Sequence, residues 1–289
     1  MTNHFREQLA EGLVYAPGVW DGLTARIAEQ SGFRALCASG FAISASLGLP
    51  DAEMYSMSEN LDAVRRIRGA SRLPVVADID TGYGNAVNAA RTARMFADAG
   101  VSAVFMEDQL APKRCPAATS GVPTLLPVRE AAGKVRAVRD EVGDELVLIG
   151  RTDGIGDDAI RRAVAYVEAG AEMIMPISKG FPDAESWKRL HDAVGVPLMC
   201  SLTAWTWTAE QFTPQVLREI GVGLALLPTQ ILLAATTATR ASLERLAAGE
   251  LAADVSRDYM EHADFLKLIG FDEVLHKQSL YLPETLEEA

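Results

Sequence analysis

The chain has 289 residues, of which 49% are hydrophobic and 23% are charged, and its formal net charge is −12. This length is compatible with one large α/β barrel, and an acidic chain without a Lys/Arg cluster is not expected to bind nucleic acid. Because the N-terminus lacks the pattern of a signal peptide and no apolar run reaches ~18 residues, we expect a cytoplasmic protein with no membrane partner.

Eight short apolar segments recur along the chain, and most are followed by a polar turn and an amphipathic helical pattern. Near-continuous apolar runs are typical of parallel strands that are buried on both faces. The eight alternations of strand and helix predict an α/β fold of the (β/α)8 TIM-type barrel class. The segments are, in chain order, VYAPG from residue 14, RALCASG from 34, VVADID from 75, SAVFMED from 102, LVLIGRTD from 146, EMIMPIS from 172, PLMCSL from 197 and GLALLP from 223.

Two further helical patterns follow the eighth strand, over residues 230–250 and 253–271. They exceed what a barrel requires. We therefore interpret residues 1–289 as a single barrel domain, of which about 229–289 form a C-terminal helical extension. Extra helices of this kind cover a barrel end or pack on a neighbouring subunit, so we expect an oligomer.

The cysteines and histidines exclude several types of site. Cys37, Cys115 and Cys200 form no C-x-x-C pair, so neither a disulfide framework nor a structural zinc site is expected. The four histidines are scattered, which argues against a three-histidine zinc site and a Ser-His-Asp triad. Any chemistry is therefore expected to use carboxylates, an arginine or a thiol.

Acidic side chains gather where the predicted strands end. In a barrel, the carboxyl ends of the strands and the loops that follow them form the active-site face. Buried carboxylates are costly unless a cation neutralises them, and a hard cation with oxygen ligands, Mg²⁺ or alternatively Mn²⁺, fits this set. An arginine at the same face is suited to clamp a substrate carboxylate. The residues are Asp51, Asp78, Asp80, Glu107 and Arg151.

Three of these residues also have a purely structural interpretation. Asp78 or Asp80 would cap the next helix, and Arg151 would form an internal salt bridge with Asp153. The segment GYGNAV resembles a dinucleotide-binding fingerprint, but Val87 stands at the third glycine position. We therefore do not expect NAD.

The segment after the fourth strand, EDQLAPKRCPAATSGVPTLLP, is rich in proline and glycine and predicts a long loop or lid on the functional face. It contains Cys115, preceded by Lys113 and Arg114, whose positive charges would lower the pKa of the thiol. The alternative is a surface cysteine without a role. Cys37 and Cys200 fall inside strand patterns and are expected to be buried.

Several of these segments occur together in one known superfamily. The segments ASGFAISASLGLPD, DIDTGYGN, FMEDQ with PKRC, and GRTD followed by RAVAYVEAGAE resemble, in order and spacing, the isocitrate lyase / phosphoenolpyruvate mutase superfamily. This resemblance implies a (β/α)8 barrel, a homotetramer in which a C-terminal helix is exchanged between subunits, and Mg²⁺-dependent chemistry on a 2-oxo acid through an enolate.

The resemblance also assigns roles to individual residues. It implies that Asp80 binds the metal directly, and that three further carboxylates hold metal-bound waters: Asp51, Asp78 and Glu107. It implies that the carboxylate of the oxo acid is bound, with help from Arg151, by Ser39, Gly40 and Phe41. Cys115 matches the thiol that acts as general acid in the lyase branch.

The chain departs from the lyase pattern in the residues that bind the distal half of the substrate. Ile177 replaces a glutamate, Ser201 replaces an asparagine and Pro116 follows the cysteine instead of glycine. Ser201 and Trp205 are nevertheless predicted to contact the substrate. The distal pocket is therefore expected to be more apolar.

Ala117 and Trp207 also lie in this region, and the tryptophans are open to a second interpretation. Ala117 stands where the lyase pattern has histidine, and Trp207 lies two positions after Trp205. Both tryptophans would alternatively pack on the barrel rim.

We predict a Mg²⁺-dependent carbon–carbon lyase that cleaves a substituted 2-hydroxy acid of the malate type to a 2-oxo acid, with Cys115, Arg151 and Glu107 as catalytic residues. The alternative is a 2-oxo acid decarboxylase of the oxaloacetate type. A phosphonate mutase or hydrolase is disfavoured because the loop lacks an Asn-Ser pair, and a non-catalytic barrel is disfavoured by the intact acidic set. Tyr15 and Lys113 are the candidates for the general base.

Overall fold

The computed structural model describes residues 2–116, 118–203, 212–257 and 259–282. Eight parallel strands form a closed barrel in chain order, with β1 paired to β8. This architecture confirms the predicted (β/α)8 fold. The strands are β1 Val14–Val19, β2 Leu36–Ala38, β3 Val75–Asp78, β4 Ala103–Glu107, β5 Val147–Thr152, β6 Met173–Pro176, β7 Leu198–Ser201 and β8 Val222–Leu227.

Helices alternate with these strands, and short 3-10 turns follow α6 and β6. The helices are α1 Thr2–Glu11, α2 Gly22–Gln30, α3 Gly40–Ser46, α4 Met57–Ala70, α5 Ala86–Asp98, α6 Val128–Val142, α7 Gly156–Glu168, α8 Ala184–Val194, α9 Pro214–Glu219, α10 Gln230–Ala247, α11 Ala252–Val255, α12 His262–Leu268 and α13 Phe271–Tyr281. Within the described ranges, none of them has the length and apolar character needed to cross a bilayer.

The helix that follows β3 is capped by an amide side chain rather than by an aspartate. The Asn85 side chain accepts hydrogen bonds from the backbone N–H groups of Val87, at 2.9 Å, and Asn88, at 3.3 Å. These bonds satisfy donors that have no partner inside α5. The two aspartates that follow the strand, Asp78 and Asp80, are therefore not helix caps.

The core has two layers, as expected for a barrel with helices around it. Side chains inside the barrel include Phe105, Ile149 and Met175, all buried. The alternate positions on the same strands point outward and pack against the helices, as Tyr15 does. This alternation determines which strand residues face the interior of the barrel.

The chain divides into two compact units, Met1–Leu233 and Ala234–Ala289. The second unit holds most of α10 together with α11, α12 and α13. The sequence predicted a single helix over residues 253–271, and this prediction was wrong. Within this range α11 ends at Val255 and α12 begins at His262. At the end of the range Gly270 adopts a left-handed conformation with φ +91°, and α13 begins at the next residue.

Candidate active site

A cavity of about 210 Å³ opens at the carboxyl ends of the strands. Seven residues that the sequence predicted as site residues line it: Ser39, Phe41, Asp51, Asp78, Cys115, Arg151 and Ser201. The cavity wall therefore combines acidic, basic, hydroxyl and thiol groups from β2, β3, β5, β7 and two loops. The predictions for Trp205, Trp207 and Ala117 lie outside the described residues.

Lys113 occupies the centre of the acidic cluster. Its Nζ lies 2.7 Å from Asp51 Oδ1 and also forms an ion pair with Asp80, and its side chain is only 2% exposed. Burial lowers the pKa of Lys113, but the surrounding carboxylates outweigh it and hold the pKa well above its ordinary value. The sequence suggested that Lys113 would activate the Cys115 thiol or serve as general base. The structure instead places it as a counter-ion of Asp51 and Asp80.

Asp78 and Asp80 lie side by side at the end of β3. The backbone N–H of Asp80 donates to Asp78 Oδ1 at 3.0 Å, and the hydroxyl of Tyr83 donates to Asp80 Oδ2 at 2.8 Å. Burial raises the pKa of Asp78 to about 7, with the charge of Lys113 opposing the rise. Burial also raises the pKa of Asp80, but the charge and hydrogen bond of Lys113 outweigh it, so the net shift is downward. The pKa values of these two neighbouring carboxyl groups are therefore shifted in opposite directions.

Arg151 is held between two carboxylates. Its guanidinium lies 2.7 Å from Glu107 Oε2, and Nε and Nη2 donate to the two oxygens of Asp153 at 2.9 and 3.0 Å. The internal salt bridge with Asp153 is therefore present. Because Arg151 also lines the cavity, the ion pair fixes the orientation of a guanidinium at the cavity wall, where it is suited to bind an anion.

Gln109 connects the Cys115 loop to this ion pair. Its side-chain N–H groups donate to Asp153 Oδ2 at 2.5 Å and to the carbonyl of Arg114 at 3.1 Å. Its Oε1 accepts from the backbone N–H of Arg114 at 2.7 Å. The chain segment just before Cys115 is thereby attached to the carboxyl end of β5.

Ser39 and Gly40 form the start of α3. Ser39 Oγ accepts a hydrogen bond from the backbone N–H of Ala42 at 3.4 Å, which makes Ser39 the N-cap. A Cβ atom at Gly40 would lie 2.8 Å from Asp78 Oδ2 and 2.9 Å from the hydroxyl of Tyr55. Glycine is therefore needed where the backbone of α3 passes the acidic cluster, and the first N–H groups of the helix have no acceptor inside it.

The remaining sequence predictions are placed as follows. Tyr15 packs in the outer layer between barrel and helices and is not among the described residues that line the cavity. Ser201 lines the cavity, and its carbonyl accepts from Ser178 Oγ at 3.4 Å. Cys37 and Cys200 are buried as predicted, although Cys37 also lines the cavity.

Sequence reasoning missed residues that support the acidic cluster. Glu53 accepts from the backbone N–H of Lys113 at 2.9 Å, and Asn60 donates to the carbonyl of Asp78 and to the hydroxyl of Tyr83, both at 2.8 Å. Asn60 lies on α4, far from the motifs in sequence. Only Tyr83 carried a signal, because it stands inside the segment DTGYGN.

The chemistry of the donors fits a divalent cation. Among the residues that the structure describes, no group of three His, Cys, Asp or Glu side chains is arranged to hold a metal ion, since Lys113 lies between Asp51 and Asp80. The donors are nevertheless hard oxygen atoms, and the buried Oε1 of Glu107 has no hydrogen-bond partner in the described part of the chain. A cation near Asp80 would take over the neutralising role of Lys113.

Comparison with known proteins identifies the relatives of this barrel. The profile of the phosphoenolpyruvate phosphomutase family matches residues 5–247. The chain is 34% identical to 2-methylisocitrate lyase of Bacillus subtilis (strain 168), over 82% of this chain and 79% of the relative. It is 31% identical to 2,3-dimethylmalate lyase of Eubacterium barkeri, over 93% of both chains.

Solved structures give the same result. A crystal structure of phosphonopyruvate hydrolase in complex with oxalate and Mg²⁺ superposes with a TM-score of 0.86 at 30% identity, over 98% of this chain and 99% of that one. These matches confirm the resemblance that the motifs indicated. Because the two curated relatives are lyases, they also confirm the predicted enzyme class, a carbon–carbon lyase.

Proposed function

The chain belongs to the phosphoenolpyruvate phosphomutase family, and on that premise we propose that it cleaves an alkyl-substituted malate to a 2-oxo acid and a carboxylic acid, with Mg²⁺ as cofactor. The observation that carries this proposal is the placement of Cys115 in the same cavity as Ser39, Asp78 and Arg151. A thiol beside an anion-binding and cation-binding site is what a lyase of this type needs to complete carbon–carbon cleavage by proton transfer.

Each group has a separate role in the proposed reaction. The first backbone N–H groups of α3 and the guanidinium of Arg151 bind the carboxylate next to the hydroxyl-bearing carbon. Lys113 is an ammonium group and Tyr15 faces the outer layer, so a carboxylate of the acidic cluster takes the hydroxyl proton. The C2–C3 bond then breaks, its electron pair moves toward the distal carboxylate, and the Cys115 thiol gives its proton to C3.

Asp80, with Asp51, Asp78 and Glu107, would hold the metal. A relative of this barrel is known with oxalate and Mg²⁺, which supports the same cation here. When bound, Mg²⁺ would supply positive charge for the negative charge that develops on the substrate oxygens.

The proposal is tested by measuring release of a 2-oxo acid from citramalate, 2,3-dimethylmalate, 2-methylisocitrate and oxaloacetate, each with Mg²⁺ and with a chelator. We expect Mg²⁺-dependent cleavage of a substituted malate. We expect Cys115→Ser to lower kcat by at least ~100-fold, the usual contribution of a positioned acid. Cys200→Ala is the matched control, because it removes a buried thiol that does not line the cavity.

The alternative activity gives a different pattern in the same assay. Ile177 places an alkyl group at the cavity wall, which favours a small substrate such as oxaloacetate. Turnover of oxaloacetate alone, unaffected by Cys115→Ser, would refute the lyase mechanism and establish a decarboxylase.

We also propose that the second compact unit is exchanged between subunits of a homotetramer. Within α13, Phe271, Val274 and Leu275 follow helical spacing and are 42, 46 and 57% exposed. An apolar stripe of this kind marks a surface that another protein covers. Leu275→Glu should lower the mass measured by light scattering, whereas Lys277→Gln, which lies across the helix from Leu275, should leave it unchanged.

A further inference from the structure

The cavity is lined by a second basic residue besides Arg151. Lys179 lies in the short turn Ser178–Gly180 that follows β6, and it is the one other basic residue among the described residues that line the cavity. The turn packs closely on the loop after β5, since a Cβ at Gly180 would lie 3.2 Å from the carbonyl of Gly154. Lys179 itself is exposed, so its ammonium is accessible to a ligand that enters the cavity.

The charge of Lys179 is not matched by a carboxylate. Its Nζ donates to the backbone carbonyl of Gly121 at 2.9 Å, and no ion pair with an acidic side chain is found in the described parts of the chain. Arg151, in contrast, is held by Glu107 and Asp153. An ammonium bonded to a neutral carbonyl retains its full charge for a bound anion.

The wall of the cavity that Lys179 lines is largely apolar. Phe41, Met175, Ile177 and Leu226 all line the same cavity. A carboxylate placed against such a wall loses hydration and needs a cation to compensate for it. A malate-type acid carries one carboxylate beside its hydroxyl group and a second at its far end, so one of the two must lie away from Arg151.

We infer that Lys179 binds the distal carboxylate of the substrate and thereby selects dicarboxylates over monocarboxylates. This inference rests on the proposed function. Cleavage of the C2–C3 bond moves an electron pair toward the distal carboxylate, so Lys179 meets its largest negative charge as the bond breaks. The Lys179 ammonium then gives up its hydrogen bond to the carbonyl of Gly121, which belongs to the Cys115 loop, and donates to the distal carboxylate of the substrate instead.

The test measures the binding of two probes by calorimetry in the presence of Mg²⁺. Oxalate represents the proximal half of the substrate, and citramalate represents the whole dicarboxylate. We expect Lys179→Met to weaken binding of citramalate by about 10- to 100-fold, the effect of removing a charged hydrogen bond, and to change binding of oxalate less than about 2-fold. Lys179→Arg should restore binding of citramalate. Lys188→Met, which removes an exposed lysine of α8, should change neither value.

The binding of oxalate and citramalate distinguishes a failure of the Lys179 role from a failure of the proposed function. Equal weakening of oxalate and citramalate in Lys179→Met, together with faster labelling of Cys115 by a thiol reagent, would mean that Lys179 only fastens the loop, and would overturn the inference. Unchanged binding of citramalate would overturn it as well. If wild type binds neither probe with Mg²⁺, the proposed function fails, and the inference fails with it.

Discussion

Replacing Lys113 by methionine tests whether the acidic cluster is a cation site. Methionine keeps most of the side-chain volume but removes the ammonium that pairs with Asp51 and Asp80. Removing one partner of a buried ion pair costs about 3–5 kcal/mol, because the remaining charge is left without compensation. At about 2–4 °C per kcal/mol for a chain of this size class, the variant should unfold roughly 10 °C below wild type in the presence of a chelator.

Magnesium should reverse part of this loss. A ligand at 100 times its Kd stabilises the folded state by about 2.7 kcal/mol, and in the variant no ammonium competes for the carboxylates. We therefore expect Mg²⁺ to raise the melting temperature of Lys113→Met by several degrees and that of wild type by less. Differential scanning calorimetry with chelator and with Mg²⁺ measures both shifts.

Lys134→Met is the matched control. Lys134 is also buried, but its Nζ donates to the backbone carbonyl of Thr81 and forms no ion pair in the described residues. Its removal should destabilise the protein and leave the gain from Mg²⁺ as small as that of wild type. If Lys113→Met and Lys134→Met gained equally from Mg²⁺, or if neither gained, the acidic cluster would not be the metal site.

Three further changes test the local physical arguments. Gly40→Ala would bring a methyl group to 2.8 Å from Asp78 Oδ2, so we expect a loss of about 1–3 kcal/mol in urea unfolding and weaker binding of oxalate; unchanged values would contradict the close approach. Trp187→Phe removes the indole N–H that donates to the carbonyl of Phe181 at 3.0 Å and should cost about 1–3 kcal/mol, measured in the same way. Burial raises the pKa of Glu172, but two arginines outweigh it and lower the pKa below the ordinary 4.5. Its contribution to the free energy of unfolding is therefore present above pH 4.5 and is lost as the pH falls through the folded pKa. Glu172→Gln should make the free energy of unfolding fall less steeply in acid. An unchanged dependence on pH would refute this.

The barrel was predictable because its strands repeat one pattern. A strand buried on both faces needs apolar residues at every position, and the segments VVADID and LVLIGRTD show this followed at once by charged residues. The carboxyl ends of parallel strands meet at one end of the barrel, so charges such as Asp78 and Arg151 were expected to share a cavity. Both line it.

The position of the Lys113 side chain was not predictable in the same way. Proximity in sequence suggested that Lys113 acts on Cys115, because neighbours in a loop are close together. A lysine side chain spans four methylene groups, however, and its ammonium moves to the strongest uncompensated negative potential within reach. That potential is created by Asp51 and Asp80, which lie far from it in sequence and close only in the folded barrel.

The division of the tail was missed for a related reason. The pattern over residues 253–271 has helical spacing throughout, and local propensity alone does not fix where a helix ends. The prediction missed the break between α11, whose C-cap is Ser256, and α12, whose N-cap is Glu261, because neither Gly nor Pro stands between those residues to signal it. The glycine that does signal a helix end, Gly270, separates α12 from α13 at the end of the predicted segment.

The balance of charge in the site connects its cation to its substrate. The acidic groups outnumber the two buried cations, and burial raises the pKa of both Asp78 and Glu107. A divalent cation would offset this excess and favour the carboxylate form, which can accept a proton from a substrate hydroxyl. A dianionic substrate then restores the excess of negative charge, and Lys179 is the described cavity residue placed to balance its far end. The acidic groups considered are Asp51, Asp78, Asp80, Glu107 and Asp153, and the buried cations are Lys113 and Arg151.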